Sequence, residues 1–325
     1  MTISRRMLLL GAAAVASAPM LAHAQSTDLQ AKPIRIVVAY GAGGASDALA
    51  RYAADSLTKA IGQRVIVENR PGADGNIAAE AVATAPDRDI TLLVSGVSTH
   101  ATNVTIYKRL PFDPEKDFFP LTTIASTPYL LVVNPERIQA KTFKDFLAEA
   151  GKAGRPLTYA SANVGGRLAG ELFKKLSGVS AENVAYRSSA QAMTDLLGQQ
   201  YDYYFCDMVT AMPQIRAGKI RALAVSSKEP VPMLPDVPTL AALGYPGFDV
   251  SSWIAIWSSA KAPPAVSAEL ANLVNQAFAS PEGREFMMKI GLLSFPGSPQ
   301  SLGTLQKRDT EAFRGLIIEA GMQQD

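Results

Sequence analysis

Residues 34–61, IRIVVAYGAGGASDALARYAADSLTKAI, contain a complete strand, loop and helix. The β-branched run at residues 34–40 has the length and composition of a buried parallel strand. It ends in the glycine-rich stretch 41–47, after which apolar side chains recur at helical spacing until Gly62. The stretch therefore predicts one β-loop-α unit, with a tight loop of small residues at the carboxyl end of its strand.

The same alternation recurs further along the chain. Strands are predicted at residues 65–67 and 91–94, with a helix at 77–85 between them. A second series opens after Pro135. Its predicted strands are residues 157–160, 184–186, 201–205 and 221–225. Helical patterns separate these strands, so the sequence predicts a second α/β unit.

The carboxyl-terminal third differs in composition. Five prolines fall within residues 230–246, too many for a helix or a central strand, so we expect an ordered connector there. A strand is predicted at residues 252–257, and helices are expected to begin near Pro264, Pro281 and Pro299, because proline suits the first helical turn. Two α/β units followed by a helical return predict two domains joined by crossovers, with a ligand cleft between them.

The first 24 residues have the features of a secretory leader. They contain Arg5 and Arg6, no acidic side chain, an apolar run at residues 7–21 and small residues near the expected cleavage site. A cleaved signal peptide is therefore predicted. The paired arginines leave both Sec and twin-arginine export open.

Charge and residue counts exclude several classes of function. The 325 residues carry 31 Lys and Arg against 29 Asp and Glu, and the two arginines of the leader account for the difference. A neutral mature chain argues against nucleic acid or an anionic membrane as a partner. After the leader, His100 and Cys206 are the only histidine and cysteine, too few for a zinc site, and any Ser-His-Asp triad would need His100. We therefore expect no metal and no cofactor.

Three loops at predicted strand ends are candidates for holding an anion. Residues 41–47 (GAGGASD), 161–167 (SANVGGR) and 186–189 (YRSS) each lie between a strand and a helix. At such positions backbone N–H groups are unpaired and the helix dipole attracts negative charge. One loop in each unit could hold an anion from opposite sides, and Arg167 or Arg187 could add a second anionic subsite, which favours a dicarboxylate.

Other interpretations of these residues stay open at this point. The first loop fits half of the G-x-G-x-x-G pattern, with Glu68 at the end of the second strand, so an exported nucleotide-dependent enzyme is an alternative. The loop could also be only a tight turn that packs a helix on the sheet. Asp207 either caps the following helix or pairs with a ligand ammonium, and His100 faces either the cleft or the core.

Six segments together resemble the periplasmic solute receptors of the tripartite tricarboxylate transporter system, also called the Bug family. The resemblance runs through nearly the whole chain after the leader. The segments are IRIVVAYGAGGASDALAR, GQRVIVENRPGADGNIAAEAVA, YKRLPFDPEKDFFPLT, LTYASANVGGRLAGELFK, AGKIRALAVSS and LPDVPTLAALGYPGF.

The resemblance implies a type II periplasmic-binding fold, in which two doubly wound α/β domains are joined by a hinge of crossing strands. On this chain we expect a signal peptide at residues 1–24, a discontinuous first domain at 25–124 and 248–325, and a second domain at 125–247. The ligand would lie in the cleft between the domains, held by two loops that act on a carboxylate.

The resemblance also implies the ligand contacts and the role of the protein. The expected ligand-binding residues are Tyr40, Gly43, Gly44, Ser46, Asp47, Ser98, Ser161, Ala162, Asn163, Val164, Gly165, Gly166, Tyr186, Arg187, Ser188 and Asp207. The expected function is that of a monomeric, non-catalytic periplasmic receptor for a small organic carboxylate, with a dicarboxylate or an aromatic acid favoured. Such a receptor delivers its ligand to a membrane permease of the tripartite tricarboxylate transporter family or to a sensor.

Overall fold

The structure is a computed structural model that describes residue 29, residues 32–86 and residues 90–324. The expected signal peptide at residues 1–24, and with it the export route, lies outside the described residues. Within these ranges, none of the helices combines the length and the apolar character that a membrane span requires.

The amino-terminal part alternates strands and helices as the sequence predicts. Strand β1 (Ile34–Val38) leads into helix α1 (Ala45–Ile61), strand β2 (Val65–Asn69), helix α2 (Asn76–Ala83) and strand β3 (Ile90–Gly96). β1 lies between β2 and β3 and is parallel to both. The carboxyl ends of these strands therefore meet at one edge of the sheet, which is the edge that carries the first loop.

A π-helical turn (Ser98–Thr102) and the short helix α3 (Asn103–Ile106) follow β3. The chain then enters strand β4 (Phe118–Val133), the 16 residues of which include Pro120 and Pro128. This strand is absent from the sequence-based prediction, and prolines of this kind are rare in central strands. Pro120 lies at a register shift in the pairing of β4 with a neighbouring strand, and Pro128 lies at the end of that pairing.

The next part forms the second α/β series. Its elements are helix α4 (Phe143–Lys152), strand β5 (Leu157–Ser161), helix α5 (Val164–Ser177), strand β6 (Ala181–Ala185), helix α6 (Ser189–Leu197), strand β7 (Tyr203–Asp207), helix α7 (Met208–Arg216) and strand β8 (Arg221–Val225). β5 is parallel to both β6 and β7. The strand predicted at residues 184–186 begins earlier than expected, at Ala181, and the other three predicted strands overlap the observed ones.

The chain then returns along the molecule. The proline-rich stretch 230–246 forms turns, with one isolated bridge between Thr239 and Val225. The returning elements are strand β9 (Ser251–Ser259), helix α8 (Pro264–Ala279), helix α9 (Pro281–Lys289), strand β10 (Leu293–Ser294) and helix α10 (Pro299–Glu319). All three helices begin at the prolines that the sequence marked as first-turn positions.

One long strand joins the two halves of the sheet. The strand order is β2-β1-β3-β9-β4-β7-β5-β6, and β8 and β10 also pair with β4. The amino-terminal part of β4 pairs with β9, up to Pro128. From Tyr129 onward β4 pairs instead with β7 and β8. The polypeptide therefore passes from one half to the other without leaving the sheet.

Ser226 ties together the chain segments that cross between the halves. This serine is fully buried. Its Oγ accepts a hydrogen bond from the Tyr129 backbone N–H (2.7 Å) and donates one to the Val250 carbonyl (2.5 Å). Its own backbone N–H donates to the Tyr129 carbonyl, and its carbonyl accepts from the Val250 N–H. These four bonds hold β4, the end of β8 and the start of β9 in one crossing.

Each half of the sheet has its own buried apolar clusters. Ile36, Leu92 and Ile256 belong to the first half, and Leu131, Tyr159 and Phe205 belong to the second. Helix α10 connects the two cores, because Leu302 near its start packs in the first half and Ile317 near its end packs in the second. The residues after α10 are thereby brought to the boundary between the halves.

Candidate functional site

A cavity of about 170 Å³ opens where loops from both halves of the sheet meet. The lining residues come from the turn before α2, the end of α3, the loops after β5 and β6, and the segment after α10. They are Asp74, Ile106, Ser161, Ala162, Asn163, Val164, Arg167, Ala185, Tyr186, Met322 and Gln324. The volume is below the 300–1,000 Å³ of pockets for drug-sized ligands, so it suits a small molecule.

The second loop, residues 161–166, supplies most of the predicted residues in this cavity. Asn163 is the N-cap of α5, and its Oδ1 accepts hydrogen bonds from the Gly166 backbone N–H (2.8 Å) and from the Tyr129 hydroxyl (3.0 Å). Gly165 and Gly166 are buried beneath the loop against Tyr129. The helix N-terminus that faces the cavity is therefore anchored directly to the strand that joins the two halves.

Arg167 places a cation beside this helix N-terminus. The side chain is partly exposed, and its Nε–H is buried without a hydrogen-bond acceptor in the described part of the chain. A buried donor without a partner is costly, and the cost is larger when the group is charged. Arg167 itself lines the cavity, so its charge and the dipole of α5 both favour an anion there.

Ser161 and Tyr186 complete the wall on the side of the second half. Asn183 Nδ2 donates to Ser161 Oγ (2.9 Å), and the Tyr186 backbone N–H donates to the Ser161 carbonyl (2.8 Å). The Tyr186 hydroxyl donates to Asp195 (2.9 Å). Burial and this carboxylate raise the pKa of Tyr186 to about 12, so the phenol stays neutral at physiological pH. These bonds fix the side chains in place before any ligand arrives.

Asp74 is a lining residue that our sequence analysis missed. It lies in the turn 72–75, where Ala73 and Asp74 both have positive φ angles (46° and 50°). Left-handed backbone at two successive non-glycine residues is strained, and such strain concentrates at functional sites. The available signal was an aspartate between two glycines, in PGADG, directly after a predicted strand.

The first loop does not line the cavity. In this loop Asp47 is buried, and its carboxylate accepts hydrogen bonds from the Gly43 backbone N–H (2.9 Å) and from Arg51 (3.1 Å). Burial would raise the pKa of Asp47, but these bonds and one from Asn69 outweigh it and lower the pKa. The loop thus binds its own carboxylate. Gly44 is the N-cap of α1, and Ser46 is buried in its first turn. Because none of these residues lines the cavity, a ligand role for the loop stays a prediction.

The remaining predicted residues also lie outside the lining. Tyr40 is partly buried beside Ser98, which is itself buried in the π-helical turn. Arg187 and Ser188 are exposed, and Ser188 is the N-cap of α6. Asp207 caps α7, accepting a hydrogen bond from the Thr210 N–H (2.9 Å), as the capping alternative predicts. Ligand contacts from these residues stay predictions.

Three other side chains that the sequence singled out, His100, Cys206 and Glu68, are accounted for by burial or by a hydrogen bond within the protein. His100 is fully buried and stacked on Trp257, with ring centroids 3.9 Å apart, and burial lowers its pKa to about 3. Cys206 is buried, which raises the pKa of its thiol. Glu68 accepts a hydrogen bond from Arg70 (2.7 Å). His100 therefore faces the core, and no group of three or more metal-ligating side chains is found within residues 32–86 and 90–324.

Comparison with known proteins gives one family. Residues 49–322 match the family model described as "Tripartite tricarboxylate transporter family receptor". Because the match covers most of the chain, the resemblance seen in the six sequence segments is confirmed.

Three solved structures share the fold over almost their full length. Rpa4515 from R. palustris with adipate is 31% identical, with a TM-score of 0.83 over 89% of this chain and 97% of its own. The periplasmic binding protein BugD is 30% identical, with a TM-score of 0.79 over 90% of this chain and 99% of its own. MatC (Rpa3494) from Rhodopseudomonas palustris with bound malate is 28% identical, with a TM-score of 0.77 over 88% of this chain and 99% of its own. The predicted periplasmic-binding fold is thereby confirmed.

Proposed function

We propose that this chain, which belongs to the tripartite tricarboxylate transporter receptor family, is a non-catalytic periplasmic receptor that captures a small organic carboxylate and delivers it to a membrane transporter of that system or to a sensor. The observation that carries the proposal is a cavity lined by the N-terminus of α5 and by Arg167, with residues from both halves of the sheet around it. Adipate and malate in two structural neighbours support a carboxylate, and a dicarboxylate or an aromatic acid is favoured.

The groups at the cavity can supply the affinity that such a receptor needs. A hydrogen bond to a charged group contributes about 1.5–3 kcal/mol net. A few of these, less the cost of association, correspond to a Kd near micromolar, which is about −8 kcal/mol. The ligand's carboxylate would accept hydrogen bonds from Arg167 and from backbone N–H groups at the start of α5. The leader-like residues 1–24 support export, and we propose that the receptor acts as a monomer.

We further propose that the two halves are domains that close on the ligand. The first comprises residues 25–124 and 248–325, and the second comprises residues 125–247. The cavity takes residues from both, and the crossing at Ser226 is the hinge about which they would rotate. A ligand that bridges both domains shifts the population toward the closed form. Small-angle X-ray scattering should show a smaller radius of gyration at saturating ligand, and an unchanged scattering profile would contradict closure.

The capture of a carboxylate is tested by a thermal-shift screen of the mature protein after unfolding and refolding to remove bound ligand. The panel contains mono-, di- and tricarboxylates, aromatic acids, amino acids and NAD(P). A ligand at a hundredfold excess over its Kd adds about 2.7 kcal/mol to the free energy of unfolding. We expect one group of carboxylates to raise the Tm. Stabilisation by NAD(P) alone would point to the nucleotide-dependent enzyme instead.

The place of binding is tested with Arg167→Gln. This substitution removes the cation from the cavity, so we expect the Kd for the stabilising acid to rise at least about tenfold in isothermal titration calorimetry. Arg216→Gln is the matched control, because Arg216 is exposed at the end of α7 and outside the lining. Equal affinities of the two variants would place the ligand elsewhere.

A further inference from the structure

The cavity contains both signs of charge. Arg167 lines it from α5, in the second half of the sheet, and Asp74 lines it from the turn before α2, in the first half. No ion pair joins them in the described part of the chain, and the Nε–H of Arg167 has no acceptor there. Two opposite charges that line one small cavity without pairing with each other are both available to the two ends of a polar ligand.

Hydrogen bonds from Tyr107 and Asn103 hold Asp74 in place. The Tyr107 hydroxyl donates to Asp74 Oδ2 (3.0 Å), and Asn103 Nδ2 donates to the Asp74 carbonyl (3.2 Å). Asn103 is fully buried and also donates to Asn76 Oδ1 (2.6 Å). Burial and the Asp74 carboxylate raise the pKa of Tyr107 to about 12, so its hydroxyl remains a donor. The strained turn is thus fixed with Asp74 in the lining of the cavity.

These contacts leave Asp74 as an acceptor without a cationic partner. Tyr107 supplies one neutral hydrogen bond to one of its oxygens, and no ion pair involves Asp74 among residues 32–86 and 90–324. A ligand that presented only carboxylates would bring like charge toward this group, which is unfavourable. A ligand with a hydrogen-bond donor would instead form a charge-assisted bond with it.

We propose that Asp74 is a specificity-determining residue, which makes the receptor select carboxylic acids that carry a hydrogen-bond donor, an ammonium or a hydroxyl group, over their unsubstituted counterparts. This inference rests on the proposed function and refines its ligand class. The carboxylate of the ligand lies toward Arg167 and the start of α5, and its donor points to Asp74. The ligand therefore bridges the two halves of the sheet, with its carboxylate on the second half and its hydrogen-bond donor on the first.

The experiment measures Kd by calorimetry for matched acids that differ only at carbon 2. Three series are used: alanine, lactate and propionate; aspartate, malate and succinate; glutamate, 2-hydroxyglutarate and glutarate. Within the series that binds most tightly, we expect the amino or hydroxy acid to bind at least about tenfold more tightly than the unsubstituted acid. Within that series, the tighter binder of the amino acid and the hydroxy acid shows whether Asp74 prefers an ammonium or a hydroxyl donor.

Asp74→Asn tests the role of the residue itself. Asparagine has nearly the same shape and also adopts left-handed backbone readily, so the turn should be retained. We expect the preference for the donor-bearing acid to fall at least about tenfold, with little change for the unsubstituted acid. Asp236→Asn, an equal change of charge at an exposed position, should leave the preference as it is.

The outcomes separate this inference from the function on which it rests. If unsubstituted acids bind as tightly as their amino and hydroxy counterparts, or if Asp74→Asn leaves the preference unchanged, the role of Asp74 is wrong and the receptor remains. If none of the nine acids binds, the inference fails, whereas the proposed function fails only if no carboxylate of the thermal-shift panel raises the Tm.

Discussion

Replacing Asp202 by asparagine is expected to lower the free energy of unfolding by about 3 kcal/mol. Asp202 directly precedes β7 and is almost fully buried. Arg137 Nε donates to its Oδ1 (2.8 Å), and both terminal nitrogens of Arg155 donate to its two oxygens (2.7 Å each). The Thr158 backbone N–H adds a bond of 2.8 Å. Removing one charge from such a cluster leaves the two arginines without their counter-ion.

The same carboxylate should make stability depend on pH in the acid range. Burial alone would raise the pKa of Asp202, but the bonds from Arg155, Thr158 and Arg137 outweigh it and lower the pKa to about 2. An unfolded aspartate has a pKa near 3.9. The folded state therefore binds the proton less readily, so this contribution to stability is complete above about pH 5 and is lost as pH falls through the folded pKa toward about pH 1.

Urea unfolding of the wild type and Asp202→Asn between pH 7 and pH 3 checks both expectations. The difference between the two proteins should be largest at neutral pH and should shrink in acid. Asp113→Asn is the control, because Asp113 pairs with Lys116 at the surface and such pairs contribute less than about 1 kcal/mol. Equal losses for the two substitutions would contradict the structural role given to Asp202.

Replacing Gly165 by alanine is expected to destabilise the protein by about 3 kcal/mol and to weaken carboxylate binding. A Cβ at Gly165 would lie 2.2 Å from the Tyr129 hydroxyl oxygen and 2.7 Å from the adjacent ring carbon. Tyr129 is buried on β4, where its backbone bonds to Ser226 prevent an easy shift. The start of α5 must then move away from β4, and the cavity wall formed by the second loop moves with it.

A double-mutant cycle isolates this close contact. In a Tyr129→Ala background the obstructing ring is gone, so Gly165→Ala should cost less than about 1 kcal/mol. Gly151→Ala is the matched control, since Gly151 is helical and exposed and has open space where a Cβ would be. That substitution should be neutral or stabilising by up to about 1 kcal/mol. Additive effects of Gly165→Ala and Tyr129→Ala would show that the contact does not restrain the helix.

Local patterns predicted most of the secondary structure. Strand β1, the three helices that begin at Pro264, Pro281 and Pro299, and the proline-rich connector are confirmed, because each depends on neighbours within a few residues. The capping role of Asp207 is of the same kind, since the bond spans only three residues. The family was also recognisable from segments of sequence.

The long strand β4 could not be predicted from the same patterns. Its two prolines argue against a central strand, yet Pro120 lies at a register shift in the pairing with β9 and Pro128 lies at the last residue of that pairing. Without β4, the sequence could not show how the two halves of the sheet are joined or how Tyr129 anchors the second loop.

The sequence by itself determined the fold class and the position of the second loop, because strand, turn and helix signals are local. Only the tertiary structure decided which loops share a cavity. It brought Asp74 and the segment after α10 to the second loop, and it closed the first loop on Asp47 instead. Contacts between residues far apart in the chain depend on how strands pair and helices pack, and no local spacing encodes which polar groups will already be satisfied when the chain has folded.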